Sequence, residues 1–273
     1  MSDVAVSVPK RLIKAEIALL LALSLGRSGI YAIVNIIGRI TEATPLGEQV
    51  TALNPVRSPR PYLDLTYQLL AIAFALVPVA LAWYFLSVRP GARPTSEVLG
   101  IDWGRGRGAV LGDFRGGGFL FLAVGLPGLA FYALGRALGI TVAVEASALA
   151  SYWWTIPVLI LSAFQNGALE EFIVVGYLFE RTRDLGWNQT GGLDWRFVAF
   201  SALLRGSYHL YQGIGPFLGN AAMGVLFVWW FTSRFGKHRV LPLIIAHTLL
   251  DVVAFVGYAL APESLLRLLG FAT

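Results

Sequence analysis

The chain has 273 residues, 56% of them hydrophobic, only 14% charged, and a mean hydropathy of +0.68. A soluble domain carries roughly 25% charged residues, so a water-soluble globule is excluded. The net charge of +5 is explained by loop topology rather than by nucleic acid, which is not expected as a partner, and the absence of cysteine rules out disulfides, thiolate metal sites and cysteine nucleophiles.

Apolar runs predict spans near 15–38, 67–88, 118–139, 152–180, 197–213, 217–235 and 240–260. Several approach the ~20 residues needed to cross hydrocarbon. The fold class is therefore all-α, a polytopic transmembrane bundle of seven or eight helices, and 1–273 reads as one integral membrane domain. Lys10, Arg11 and Lys14 precede the first run, which is too long for a signal-peptide core and is interrupted by Arg27, so it reads as a retained anchor after a cytoplasmic tail, 1–11. Residues 40–66 read as an external loop and 89–117 as a cytoplasmic loop rich in Gly, Pro and Arg. The segment from Glu263 to Phe271 is short and amphipathic, suited to an interface. In this seven-span layout fourteen basic residues fall in one set of loops and five in the other. The positive-inside rule then places the N-terminus in the cytoplasm and the protein, multi-pass, in the plasma membrane.

Polar groups at membrane depth concentrate in the second half. The fourth span carries Gln165, Asn166, Glu170 and Glu171; the fifth carries Arg205, Tyr208, His209, Tyr211 and Gln212; the seventh carries His247 and Asp251. Intramembrane ionisable groups are costly and mark function by default. Each has a plainer reading: a lone histidine as a helix–helix hydrogen bond, Tyr208 and Tyr211 as aromatic packing, the paired glutamates as side chains snorkelling to headgroups. Their gathering on three helices weakens those readings. His247 and Asp251 share a helix face, as do Arg205 and His209. Glu170 and Glu171 stand about 100° apart around their helix and do not point at one atom with equal ease. Asn166, one turn before Glu170, is placed to orient it. A carboxylate and an imidazole sharing a water provide general-base chemistry, and a second imidazole provides a donor for an oxyanion. Glu170, His209 and His247 also form a donor set for a divalent metal such as zinc, although no His-Glu-x-x-His motif is present.

Glu170-Glu171 followed by Gly176-Tyr177-Leu178, then His209, then His247-x-x-x-Asp251, resembles the CAAX protease and bacteriocin-processing family of intramembrane endopeptidases, which includes the Rce1-like prenyl proteases. The resemblance covers residues 150–255, the expected catalytic core. It implies that Glu170 is the base, that His209 helps hold the water, that His247 and Asp251 stabilise the oxyanion, and that Glu171 faces a motif arginine. Family members are described both as glutamate-dependent and as metalloproteases. Two positions depart from the pattern: Val175 stands for the motif arginine and Arg205 for the motif phenylalanine. These departures are expected to compensate, Arg205 pairing Glu171 from the neighbouring helix.

The function expected is hydrolysis of a peptide bond in a peptide or membrane-protein substrate drawn from the bilayer. The site is expected toward the cytoplasmic face, because Glu170-Glu171 lie about 15 Å of helix before Arg181. The alternatives are a proton- or ion-coupled transporter and a non-catalytic relative that binds membrane proteins.

Overall fold

The computed structural model describes residues 8–88 and 93–272. The first seven residues of the expected cytoplasmic tail, and Arg89 of the expected cytoplasmic loop, lie outside the described residues. Helices dominate: α1 (Lys10–Leu23), α2 (Leu25–Thr41), α3 (Pro61–Ala75), α4 (Val77–Ser87), the short α5 (Thr95–Val98), α6 (Arg107–Ala137), α7 (Thr155–Glu170), a π-helical segment (Glu171–Tyr177), α8 (Leu178–Asp184), α9 (Trp195–His209), α10 (Ile214–Thr232), α11 (Leu241–Leu260) and α12 (Glu263–Leu268). Five helical stretches are long and apolar enough to cross a membrane: Pro61–Ser87, Arg107–Ala137, Thr155–Asp184, Ile214–Thr232 and Leu241–Leu260.

The expected first span is not one helix. α1 and α2 bend by 55° between Leu23 and Leu25, and become a sixth crossing only as a broken pair. Ser24, at the break, donates its hydroxyl to the Leu20 carbonyl at 2.7 Å. Such back-bonding offers the backbone an alternative to the helical ladder and bends helices. Pro78 breaks the second span between α3 and α4, since proline lacks the amide that would continue the ladder. α6 starts earlier than expected, so Arg107 and Arg115 lie on helix rather than loop. At 31 residues α6 is about 46 Å long and outruns the hydrocarbon. The expected fifth span is α9, only 15 residues and too short to cross alone; a 3₁₀ turn (Leu210–Gln212) extends it until Gly213, at φ 113°, ends it.

The helix ends gather on two faces. One face holds a short parallel strand pair absent from the sequence expectation, β1 (Val50–Ala52) and β2 (Ala143–Glu145). Arg136 clamps this face, donating to the carbonyls of Gly47 (2.6 Å), Thr141 (2.7 Å) and Gly270 (2.8 Å). Tyr258 ties down the segment after α12 through the Ala272 carbonyl at 2.7 Å. The opposite face carries the basic loops. There Arg239 is paired with Asp113 and, at 3.2 Å, with Asp102. Arg181 binds Glu16 at 2.6 Å and the Phe85 carbonyl at 2.7 Å. Between the faces, the main core is centred on the segment Phe172 to Phe179, with Phe197, Phe227, Phe231 and Leu243 packed around it.

Candidate active site

Four helical elements bring the site together. α7 and α11 touch along much of their length because Gly167 lies against α11: a Cβ there would sit 2.7 Å from Thr248 Oγ1 and 3.1 Å from the Ile244 carbonyl. That close approach carries Glu170 and Glu171 to His247. The backbone then passes into the π-helical segment, a form found often at functional sites. α9 packs on α10, where Gly224 leaves room for the stem of Arg205; a Cβ there would lie 3.4 Å from Arg205 Cδ.

Arg205 and Glu171 are in direct contact. Both are fully buried, and Arg205 Nη2 donates to Glu171 Oε2 at 2.7 Å. The same guanidinium reaches Glu170 Oε2 through Nη1 at 3.2 Å. The two carboxylates therefore do converge on one group, using different nitrogens of its fork, which the angular offset on an ideal helix did not suggest. The guanidinium also lies 5.6 Å from the centre of the Phe227 ring.

Glu171 Oε1 is bonded to His247 Nδ1 at 2.6 Å. Glu170 is placed differently. Tyr208 donates its hydroxyl to Glu170 Oε2 at 2.7 Å, a polar role the packing reading of Tyr208 missed. Both bonds to Glu170 fall on Oε2; among the described residues none reaches Oε1. Asn166 does not orient Glu170 as expected. It donates to Asp251 Oδ2 at 2.8 Å, because its helix face is turned to α11. Asp251 stays 3.9 Å from His247 Nε2, beyond hydrogen-bond range. His209 is held by a bond between its Nδ1 and the Arg205 carbonyl at 3.0 Å. A carbonyl only accepts, so Nδ1 carries the proton and Nε2 of the neutral ring is an acceptor.

Glu170, Tyr208, His209, His247 and Asp251 line a cavity of about 860 Å³, together with Asn166. Glu171 and Arg205 are not among its lining residues. The lining residues do not extend toward Arg181. The cavity runs along α7 back to Ser162 and along α11 on to Ala261, ending at the face with the strand pair.

A metal site of the expected composition does not form. The three ligand atoms that come within 4.8 Å of one another belong to Glu170, Glu171 and His247, and His209 is not part of that group. Arg205 already occupies an oxygen of each carboxylate, and His247 Nδ1 the other oxygen of Glu171. A buried guanidinium neutralises the charge that would bind a divalent cation, so these residues do not fit a metal.

No curated protein and no solved structure matches the chain. Residues 152–253 match the family model for type II CAAX prenyl endopeptidase Rce1-like proteins. That segment contains every residue of the site, from Asn166 to Asp251, and is similar to the Rce1-like proteins of the CAAX protease family.

Proposed function

We propose that the protein is a multi-pass membrane endopeptidase that hydrolyses a peptide bond within this cavity, with Glu170 as the base. The observation that carries the reading is the division of the glutamates: Glu170 lines the cavity with one oxygen unbonded among the described residues, while Glu171 is sealed behind it on Arg205 and His247.

In the proposed reaction a water between Glu170 Oε1 and His209 Nε2 loses a proton to Glu170 and attacks the carbonyl carbon. The carbonyl oxygen becomes an oxyanion. His247, protonated on both nitrogens beside the Glu171 carboxylate, donates Nδ1–H to Glu171 and Nε2–H to that oxyanion. Asp251, anchored by Asn166, sets a negative charge close to the imidazolium and favours it. The intermediate collapses as Glu170 returns its proton to the nitrogen, the C–N bond breaks, and a carboxylic acid and an amine leave. Arg205 is a positioning residue: it holds both carboxylates apart from mutual repulsion and fixes the Tyr208–Glu170 arrangement. No step passes through a metal.

A cleavage assay in membranes tests this, using quenched-fluorescent apolar peptides with and without a prenyl group. Glu170→Gln and His209→Ala should each lower turnover by about 10²–10⁴-fold, the usual contribution of a positioned acid–base group. Turnover unaffected by both changes would remove the mechanism.

A further inference from the structure

Three observations bear on the side from which substrate arrives. First, the cavity extends in one direction. From the level of Glu170 it follows α7 back to Ser162, about 12 Å, and from His247 it follows α11 to Ala261, about 21 Å. Its far end is lined by Leu53, Arg57 and Phe271, at the face with the strand pair. Among the described residues, none from the basic loops lines it. Second, the other direction is blocked. Past Glu171 the chain runs through Ile173, Val174, Val175, Tyr177 and Leu178 to Phe179, all with no exposure, and Phe197 and Phe231 close around them. That plug is about 12 Å deep along the helix axis. Third, the blocked face is the one bearing Lys10, Lys14, Arg181, Arg183, Lys237 and Arg239, which the positive-inside rule places in the cytoplasm.

We infer that the active-site cavity is served from the extracytoplasmic half of the bilayer, so its substrates are apolar peptide or membrane-protein segments exposed on that side. This rests on the endopeptidase reading above. The apolar wall suits such a segment: Phe121, Leu122 and Leu126 of α6 and Ile72 of α3 line the cavity, and Leu122 and Leu126 are exposed. A soluble cytoplasmic tail would have to cross the sealed core to reach Glu170.

The chain has no cysteine, so single-cysteine reporters can be placed without altering other thiols. The full-length protein carrying Ser162→Cys or Ala254→Cys inside the cavity, Arg57→Cys at its mouth, or Arg183→Cys on the basic face is inserted in cells and isolated as sealed right-side-out vesicles. A membrane-impermeant maleimide is the probe. Labelling of the two inner reporters and of Arg57→Cys in sealed vesicles, with Arg183→Cys labelled only after opening, is the expected result. Inner reporters labelled only after opening, or not at all, overturn the inference; so does the reverse pattern at Arg57 and Arg183. The readout needs no activity. If Glu170→Gln leaves cleavage intact while the labelling pattern holds, the peptidase reading fails and the access route stands.

Discussion

Arg205 is a charge with no exposure, inside a helix bundle that sits in lipid. It persists because two carboxylates face it, and those carboxylates in turn need it, since two adjacent anions resist joint ionisation. Breaking a buried pair by removing one partner typically costs about 3–5 kcal/mol. Arg205→Met should therefore lower the thermal midpoint in detergent sharply and abolish cleavage, both measured on the purified full chain. The link to Val175 is testable as a cycle. Val175→Arg alone adds a charge at a fully buried position and should destabilise the protein. If the two departures compensate, Val175→Arg with Arg205→Phe is more stable than the two single effects added, and simple additivity sinks the idea. Glu170→Gln differs: its amide carbonyl still accepts from Tyr208, so the fold should survive while turnover is lost.

At the scale of elements, the approach of α7 to α11 decides the site. Gly167→Ala places a methyl 2.7 Å from Thr248 Oγ1, and α7 must retreat. Overpacking of this kind costs about 1–3 kcal/mol, and the retreat lengthens the Glu171–His247 bond. Lower stability and lower turnover together are expected, against Gly118→Ala, where nothing lies within 4 Å, as the neutral control. α9 is positioned from its start by Asp194, which accepts from the backbone amides of Arg196 (2.9 Å) and Asn188 (3.0 Å). The Arg196 guanidinium, and then these amides, hold the Asp194 carboxyl well below the usual carboxylate range. A lowered folded-state pKa stabilises above the unfolded value and is lost as pH falls through the folded one. The cap should thus persist at mildly acidic pH, and Asp194→Ala should cost about 1 kcal/mol at neutral pH by thermal melting.

For the whole molecule, one face is tied by ion pairs over a closed core and the other encloses a cavity under a strand pair. Chelators should leave both the melting temperature and turnover unchanged, because Arg205 holds the carboxylates that a metal would need. A loss of activity restored by zinc would contradict the arrangement. Much of this plan is legible from hydropathy and charge. The membrane class, the concentration of chemistry after residue 150 and the bias of basic loops are properties of individual segments. The broken first span was not legible, because the break is one residue, Ser24, leaving helical backbone (φ −137°, ψ −122°) inside a run that still reads as apolar. Nor was the strand pair, whose three-residue strands lie far apart in the chain.

Sequence alone determined which residues are available for the chemistry: two glutamates in one helical run, an arginine and a histidine one turn apart, a histidine and an aspartate one turn apart. Within a helix, spacing settles which residues share a face. Only the tertiary structure decided which atoms meet across helices, because rotation and depth of each helix are set by its neighbours. Asn166 thus serves Asp251 rather than Glu170, Tyr208 serves Glu170, and one guanidinium holds both carboxylates. The direction of the cavity belongs to the same class, since it is the space left after all the helices have packed.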